Sequence, residues 1–149
     1  MAKIEASATI DRPVEDVWKF MLDVSSLPKW IPGSLGGKVT SEGPIGIGTT
    51  LQMKNSASPK LVEFLVTEFE PRRKSTMDVT TPQMMRGSRE TFALENAEGK
   101  TRVNLTMDLK LHGFYSLISP LVARSMRKGG ETELGNLKRI LESEAGLRP

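Results

Sequence analysis

The sequence predicts an α+β fold: a curved antiparallel β-sheet of about seven strands wrapped around a long C-terminal helix, with two short helices after the first strand. Three observations predict it. Residues 3–10 alternate apolar and polar side chains, residues 35–112 carry recurring turn signals and no helical period, and beyond Gly113 apolar residues recur every three or four positions to about residue 143. A chain of 149 residues suits a single domain, expected to span 1–149, with enough core to leave room for a cavity.

In the first strand Ile4, Ala6, Ala8 and Ile10 oppose Lys3, Glu5, Ser7 and Thr9. The following helix is expected to take Asp11 as its cap and Pro13 in its first turn. Glu15 and Asp16 complement its positive end, and Val14, Val17, Trp18 and Met21 form one face. Ser25 or Ser26 opens a second brief turn, and Pro28 and Pro32 bend the chain around Trp30. Among the strands, "TRVNLTMDLKLH" is the clearest: Val103, Leu105, Met107, Leu109 and Leu111 share one face, with His112 on the opposite, wet face. "KLVEFLVTEF" leaves its buried side open, since Leu61, Leu65 and Phe69 oppose Val62, Phe64 and Val66.

The last segment carries a stripe of Tyr115, Ile118, Val122, Met126, Gly130, Leu134, Leu137 and Leu141. Steps of four residues make the stripe wind slowly, as on a helix lying along a twisted sheet. Gly129 and Gly130 interrupt it at about 1 kcal/mol each relative to alanine. Because Gly130 sits on the stripe, it predicts a close approach of helix backbone to sheet; a break between two helices is the alternative.

Composition excludes several chemistries. The chain has no cysteine and one histidine, His112, which removes disulfides, thiolate nucleophiles and histidine-pair metal sites, so neither metal nor cofactor is expected. With no signal-peptide pattern and no run of about 18 apolar residues, a cytoplasmic protein without a membrane span is expected. The net charge is +3. Arg72, Arg73 and Lys74 in a hairpin turn, with Arg124, Arg127 and Lys128 on the long helix, read as a solvated basic surface suited at most to weak contact with an anionic membrane. Two tryptophans, one tyrosine and five phenylalanines, mostly at core positions, offer no stacking platform, so no nucleic-acid partner is expected. Monomer and homodimer are both compatible with the sequence.

The segments "ATIDRPVEDVWKFMLDVSSLPKWIPG", "GPIGIGTTLQMK", "VTEFEPRRKS" and "ISPLVARSMRKGGETELGNLKRILE", in this order, resemble the START-related helix-grip superfamily, which includes the polyketide cyclase/dehydrase and lipid-transport families. The resemblance spans the whole chain. It implies an apolar pocket between the later strands and the first half of the long helix, reached where the N-terminal helix pair and hairpin loops meet. The residues expected to contact a ligand there are Trp30, Met53, Met77, Leu105, Met107, Leu109, Tyr115, Ile118, Val122 and Met126.

Eight methionines suit a pocket that adapts to apolar ligands, and each also suits core gap-filling. Trp30 either contacts ligand or anchors its corner. Glu90 shares a strand face with Phe92 and Leu94; pointing inward it would have a raised pKa, whereas a strand slip or a salt bridge with Arg89 or Arg102 would place it outside. Glu90 and Tyr115 are therefore the acid–base candidates. The leading expectation is a module that binds an apolar small molecule. A cyclase, dehydratase or hydrolase using the same cavity is the alternative, and a co-chaperone-like adaptor the third.

Overall fold

The computed structural model describes residues 2–147, with side chains through residue 143. Its strands are β1 (Ala2–Ile10), β2 (Ser34–Val39), β3 (Thr50–Asn55), β4 (Leu61–Glu70), β5 (Lys74–Thr81), β6 (Arg89–Ala97) and β7 (Lys100–Leu109). They form one antiparallel sheet in the order β1-β7-β6-β5-β4-β3-β2. Successive strands from β2 to β7 are neighbours, whereas β1 crosses to pair with β7 along its whole length, Ala2 opposite Leu109 and Ile10 opposite Thr101. Helix α1 (Val14–Leu22), a 3-10 turn (Val24–Ser26) and α2 (Leu27–Trp30) fill that crossover, and a 3-10 segment (Gly113–Ile118) leads into α3 (Ser119–Leu147).

The corner after β1 is built differently from the sequence expectation. Pro13 occupies the N-cap of α1 without a side-chain cap bond, while the amide of Asp11 donates to Glu142 Oε2 at 2.9 Å. Arg12 holds the corner instead. Its buried guanidinium pairs with Asp16 at 2.7 Å and donates to the Leu141 carbonyl at 2.8 Å, and the Thr101 hydroxyl donates to the Arg12 carbonyl at 2.8 Å. A buried cation is tolerated here because it is both paired and hydrogen-bonded.

Strand burial follows the alternation. In β7 Val103, Leu105, Met107 and Leu109 are buried, and in β4 the buried side is that of Val62, Phe64 and Val66. The core has two parts. One gathers Ile10, Val17, Leu94, Val103, Leu134 and Leu137 between α1, the sheet and the second half of α3. The other gathers Ile4, Val79, Met107, Leu109 and Ala123, with Val122 and Met126 half-buried against them.

Helix α3 runs unbroken through the glycine pair and packs mainly on β1, with lesser contacts to α2 and β7. A Cβ at Gly130 would lie 3.2 Å from Leu105 Cδ2 and 3.7 Å from Ala6 Cβ, whereas one at Gly129 would meet nothing within 4 Å. Gly130 is thus the point at which the helix backbone rests on the sheet, and Gly129 faces away from it.

Candidate functional site

Because α3 lies on β1 and β7, the inner face of β3–β6 is covered by the N-terminal helices instead. Close seating of that cover depends on Gly37 in β2: a Cβ there would fall 2.9 Å from the Gln52 carbonyl oxygen and 3.0 Å from Leu27 Cδ1. Beneath it lies a cavity of about 140 Å³. That is close to the roughly 150 Å³ of an apolar protein cavity that admits benzene.

The helical side of the cavity presents Trp18, Met21, Leu27, Trp30 and Ile31; the sheet presents Leu51, Met53, Phe64, Val66, Met77 and Phe92. Trp30 anchors its corner and also lines the cavity. Its indole N–H donates to Ser26 Oγ at 3.3 Å, its ring meets Phe92 edge-on at 6.3 Å, and Asn136 of α3 donates to its carbonyl at 3.1 Å, yet the ring still forms cavity wall.

Polar lining comes from Gln52, Ser75, Glu90 and Glu133. Glu90 stands on β6 directly between Met77 of β5 and Met107 of β7. The anticipated salt bridge does not form, for Arg89 points to the other face and pairs with Asp78 at 2.8 Å. With apolar neighbours on both flanks, burial pushes the Glu90 carboxyl up to about 7. Glu133 follows Gly130 by three residues and so falls on the same face of α3, over the sheet. Burial, and then the negative charge of Glu90, push its carboxyl up to about 8.

Neither carboxyl accepts a hydrogen bond among the described residues, and no enclosed polar side-chain atom there lacks a partner. Their oxygens therefore open onto cavity space rather than being sealed in protein. In chemical terms the site is an apolar chamber with two carboxyl groups whose pKa values are raised into the neutral range. Such groups can donate hydrogen bonds, give up a proton or meet a cation.

Of the residues expected at the site, Trp30, Met53, Met77 and Glu90 come together around the cavity. Leu105, Met107 and Leu109 are buried in the core on β7 and do not line it. The 3-10 segment and the first half of α3 are also elsewhere: Val122 and Met126 of α3 pack on the second core cluster, while in the 3-10 segment Ile118 is half-buried and Tyr115 exposed. The reason is the path of α3. Its first turns cross the ends of β1 and β7, where Ile4, Met107 and Leu109 already fill the space beneath. His112 Nε2–H donates to the Arg86 carbonyl, 2.7 Å away, at the rim of the sheet.

Sequence reasoning missed Glu133 and the helical wall. Glu133 was detectable, because the spacing Met126, Gly130, Glu133, Leu137 places a carboxylate on the apolar stripe itself.

Solved structures share this architecture. The protein TTHA0849 from Thermus thermophilus superposes with a TM-score of 0.77 at 20% identity, covering 96% of this chain and 99% of that one. The di-domain ARO/CYC BexL from the BE-7585A biosynthetic pathway gives 0.74 at 16% identity, covering 95% of this chain and 47% of that one. The Aha1 dimer from Colwellia psychrerythraea gives 0.69 at 20% identity, covering 95% and 97%. At these identities the likeness is one of fold. A search of the curated proteins finds no match. The family model described as polyketide cyclase / dehydrase and lipid transport matches residues 1–142, and the chain belongs to that family.

Proposed function

We propose that the protein binds an apolar small molecule, such as a lipid, isoprenoid or polyketide-like compound, in the cavity between the N-terminal helices and β3–β6, for sequestration or transport. The observation that carries this reading is the cavity itself: apolar on nearly all sides, with a few convergent polar groups. Met21, Met53 and Met77 give its wall flexible thioethers, so a ligand larger than a single ring is accommodated by rotamer changes. Thermal shift against lipid and aromatic panels, with native mass spectrometry of gently purified protein, tests it. A bound species or a dose-dependent stabilisation is expected; neither appearing across the panel counts against it.

An enzyme of the cyclase or dehydratase kind is the second reading, favoured by Glu90 and Glu133 in the lining of one chamber. A carboxyl poised near neutrality can give and retake a proton, an effect of about 10²–10⁴ in rate. In that case Glu90→Gln retains ligand binding and loses turnover. The adaptor reading rests on the fold shared with Aha1 alone, and a pull-down returning no stable partner removes it.

A further inference from the structure

We infer that the cavity selects apolar molecules carrying one positive charge, an amine or quaternary ammonium on a hydrophobic body, over their neutral and anionic counterparts. This rests on the binding reading above and names the ligand class.

Two independent features of the wall converge on a cation. The first is its charge inventory. Among the described residues, Glu90 from β6 and Glu133 from α3 are the titratable side chains that face the cavity; α1, α2, β3, β4 and β5 contribute none, and the other polar groups are the neutral Gln52 and Ser75. No described lysine, arginine or histidine reaches the space to neutralise a carboxylate from within the protein. The second is aromatic. Trp18, Trp30, Phe64 and Phe92 line the same chamber, and the faces of such rings attract ammonium groups.

The two carboxyls act as a pair. Each is desolvated and Glu133 also feels the charge of Glu90, so in apolar surroundings the pair holds one negative charge far more readily than two. One buried charge without a partner is unfavourable, and the ligand's cation supplies that partner. Where both carboxyls are protonated, binding of the cation releases one proton to solvent; where the pair already carries one charge, none is released. A carboxylate ligand meets the opposite situation, with two acidic groups and no cation to receive it.

The experiment compares three ligands on one skeleton sized for the chamber: phenylpropylamine, phenylpropanol and phenylpropanoate. Binding is followed by the fluorescence of Trp18 and Trp30, the two tryptophans of the chain, both on the cavity wall. At pH 8 the amine is expected to bind about tenfold more tightly than the alcohol, and the carboxylate most weakly. From pH 8 to pH 5 the carboxylate of the pair is lost, so amine affinity falls by about tenfold or more while that of the alcohol stays nearly constant. The wild-type protein alone suffices for that comparison. In the doubly substituted Glu90→Gln, Glu133→Gln protein the amine's advantage over the alcohol disappears.

An alcohol that binds as well as the amine at pH 8 overturns the inference and leaves the binding function standing. So does an amine preference that survives the double substitution. Failure of all three ligands to bind the wild-type protein overturns both.

Discussion

Replacing Gly129 and Gly130 in turn separates intrinsic helix propensity from close packing at adjacent positions of one helix. Alanine in place of a mid-helix glycine gains about 1 kcal/mol in either case, from propensity alone. At position 129 the new methyl meets nothing within 4 Å, so the full gain is expected. For a domain of this size that raises Tm by about 2–4 °C. At position 130 the methyl arrives 3.2 Å from Leu105 Cδ2. Leu105 is only 6% exposed and packed in the core, so it cannot swing away and the gain is cancelled. Leucine at 130 adds a branched side chain to that contact. Overpacking of about 2–3 kcal/mol, the upper part of the usual range for a branched side chain forced into a packed core, exceeds the propensity gain by about 1–2 kcal/mol, and Tm falls by about 2–8 °C. Because Glu133 lies less than one turn further on, lifting α3 also draws its carboxyl out of the cavity. Circular-dichroism melts of Gly129→Ala, Gly130→Ala and Gly130→Leu provide the assay. Equal stabilisation by the two alanines, or a Gly130→Leu protein melting with the wild type, refutes the close approach.

Further outcomes follow from the same geometry. The folded-state pKa values of Glu90 and Glu133 lie near 7 and 8 against an ordinary 4.5, so the folded protein holds extra protons in that window. Their contribution to stability is therefore full below about pH 4.5 and is lost as pH rises to about 8, a loss on the order of a few kcal/mol for the coupled pair. Glu133→Gln is expected to melt with the wild type at pH 5 and above it at pH 8; a variant less stable than wild type at pH 8 contradicts this. Gly37→Ala drives a methyl to 2.9 Å from the Gln52 carbonyl oxygen and lifts the N-terminal cover, so it is expected to lower Tm by several degrees and weaken binding of phenylpropanol, measured by calorimetry. Arg12→Met removes the ion pair with half-exposed Asp16, which water can then solvate, and the bond to the Leu141 carbonyl; a cost of about 1–2 kcal/mol, mostly from the buried carbonyl, is expected by chemical denaturation, and no measurable change would show that packing alone replaces Arg12.

The fold was legible because its signals are local. The alternation in β1 and β7 and the long stripe of α3 each declare one buried face, and a one-residue slip would turn that face to water. The undecided face of β4 was not local: which side is buried depends on where α1 and α2 lie across the sheet. The site was half legible for the same reason. Trp30, Met53, Met77 and Glu90 belong to elements whose inner faces the sequence indicates, and they meet at the cavity. Val122 and Met126 read equally well as inner-face residues, yet the path of α3 puts them on a filled part of the core. Periodicity reports that a side chain is covered; only the crossing of helix over sheet decides whether it covers core or void. Arg12 was silent for a related reason, since its partners Leu141 and Thr101 come from distant parts of the chain.

The central claim, a ligand in the chamber under α1 and α2, is tested most directly by titrating phenylpropanol into protein labelled at its methionine methyls and following their NMR signals. Met21, Met53 and Met77 line the chamber, while Met84, Met85 and Met126, which belong to the same core cluster as Met53 and Met77, do not reach it. Saturable shifts of the first three methyls, together with the indole signals of Trp18 and Trp30, are predicted, with the second three unmoved. Shifts confined to residues near the exposed apolar segment of Phe114, Leu117 and Leu121, or no shifts at all, would contradict it.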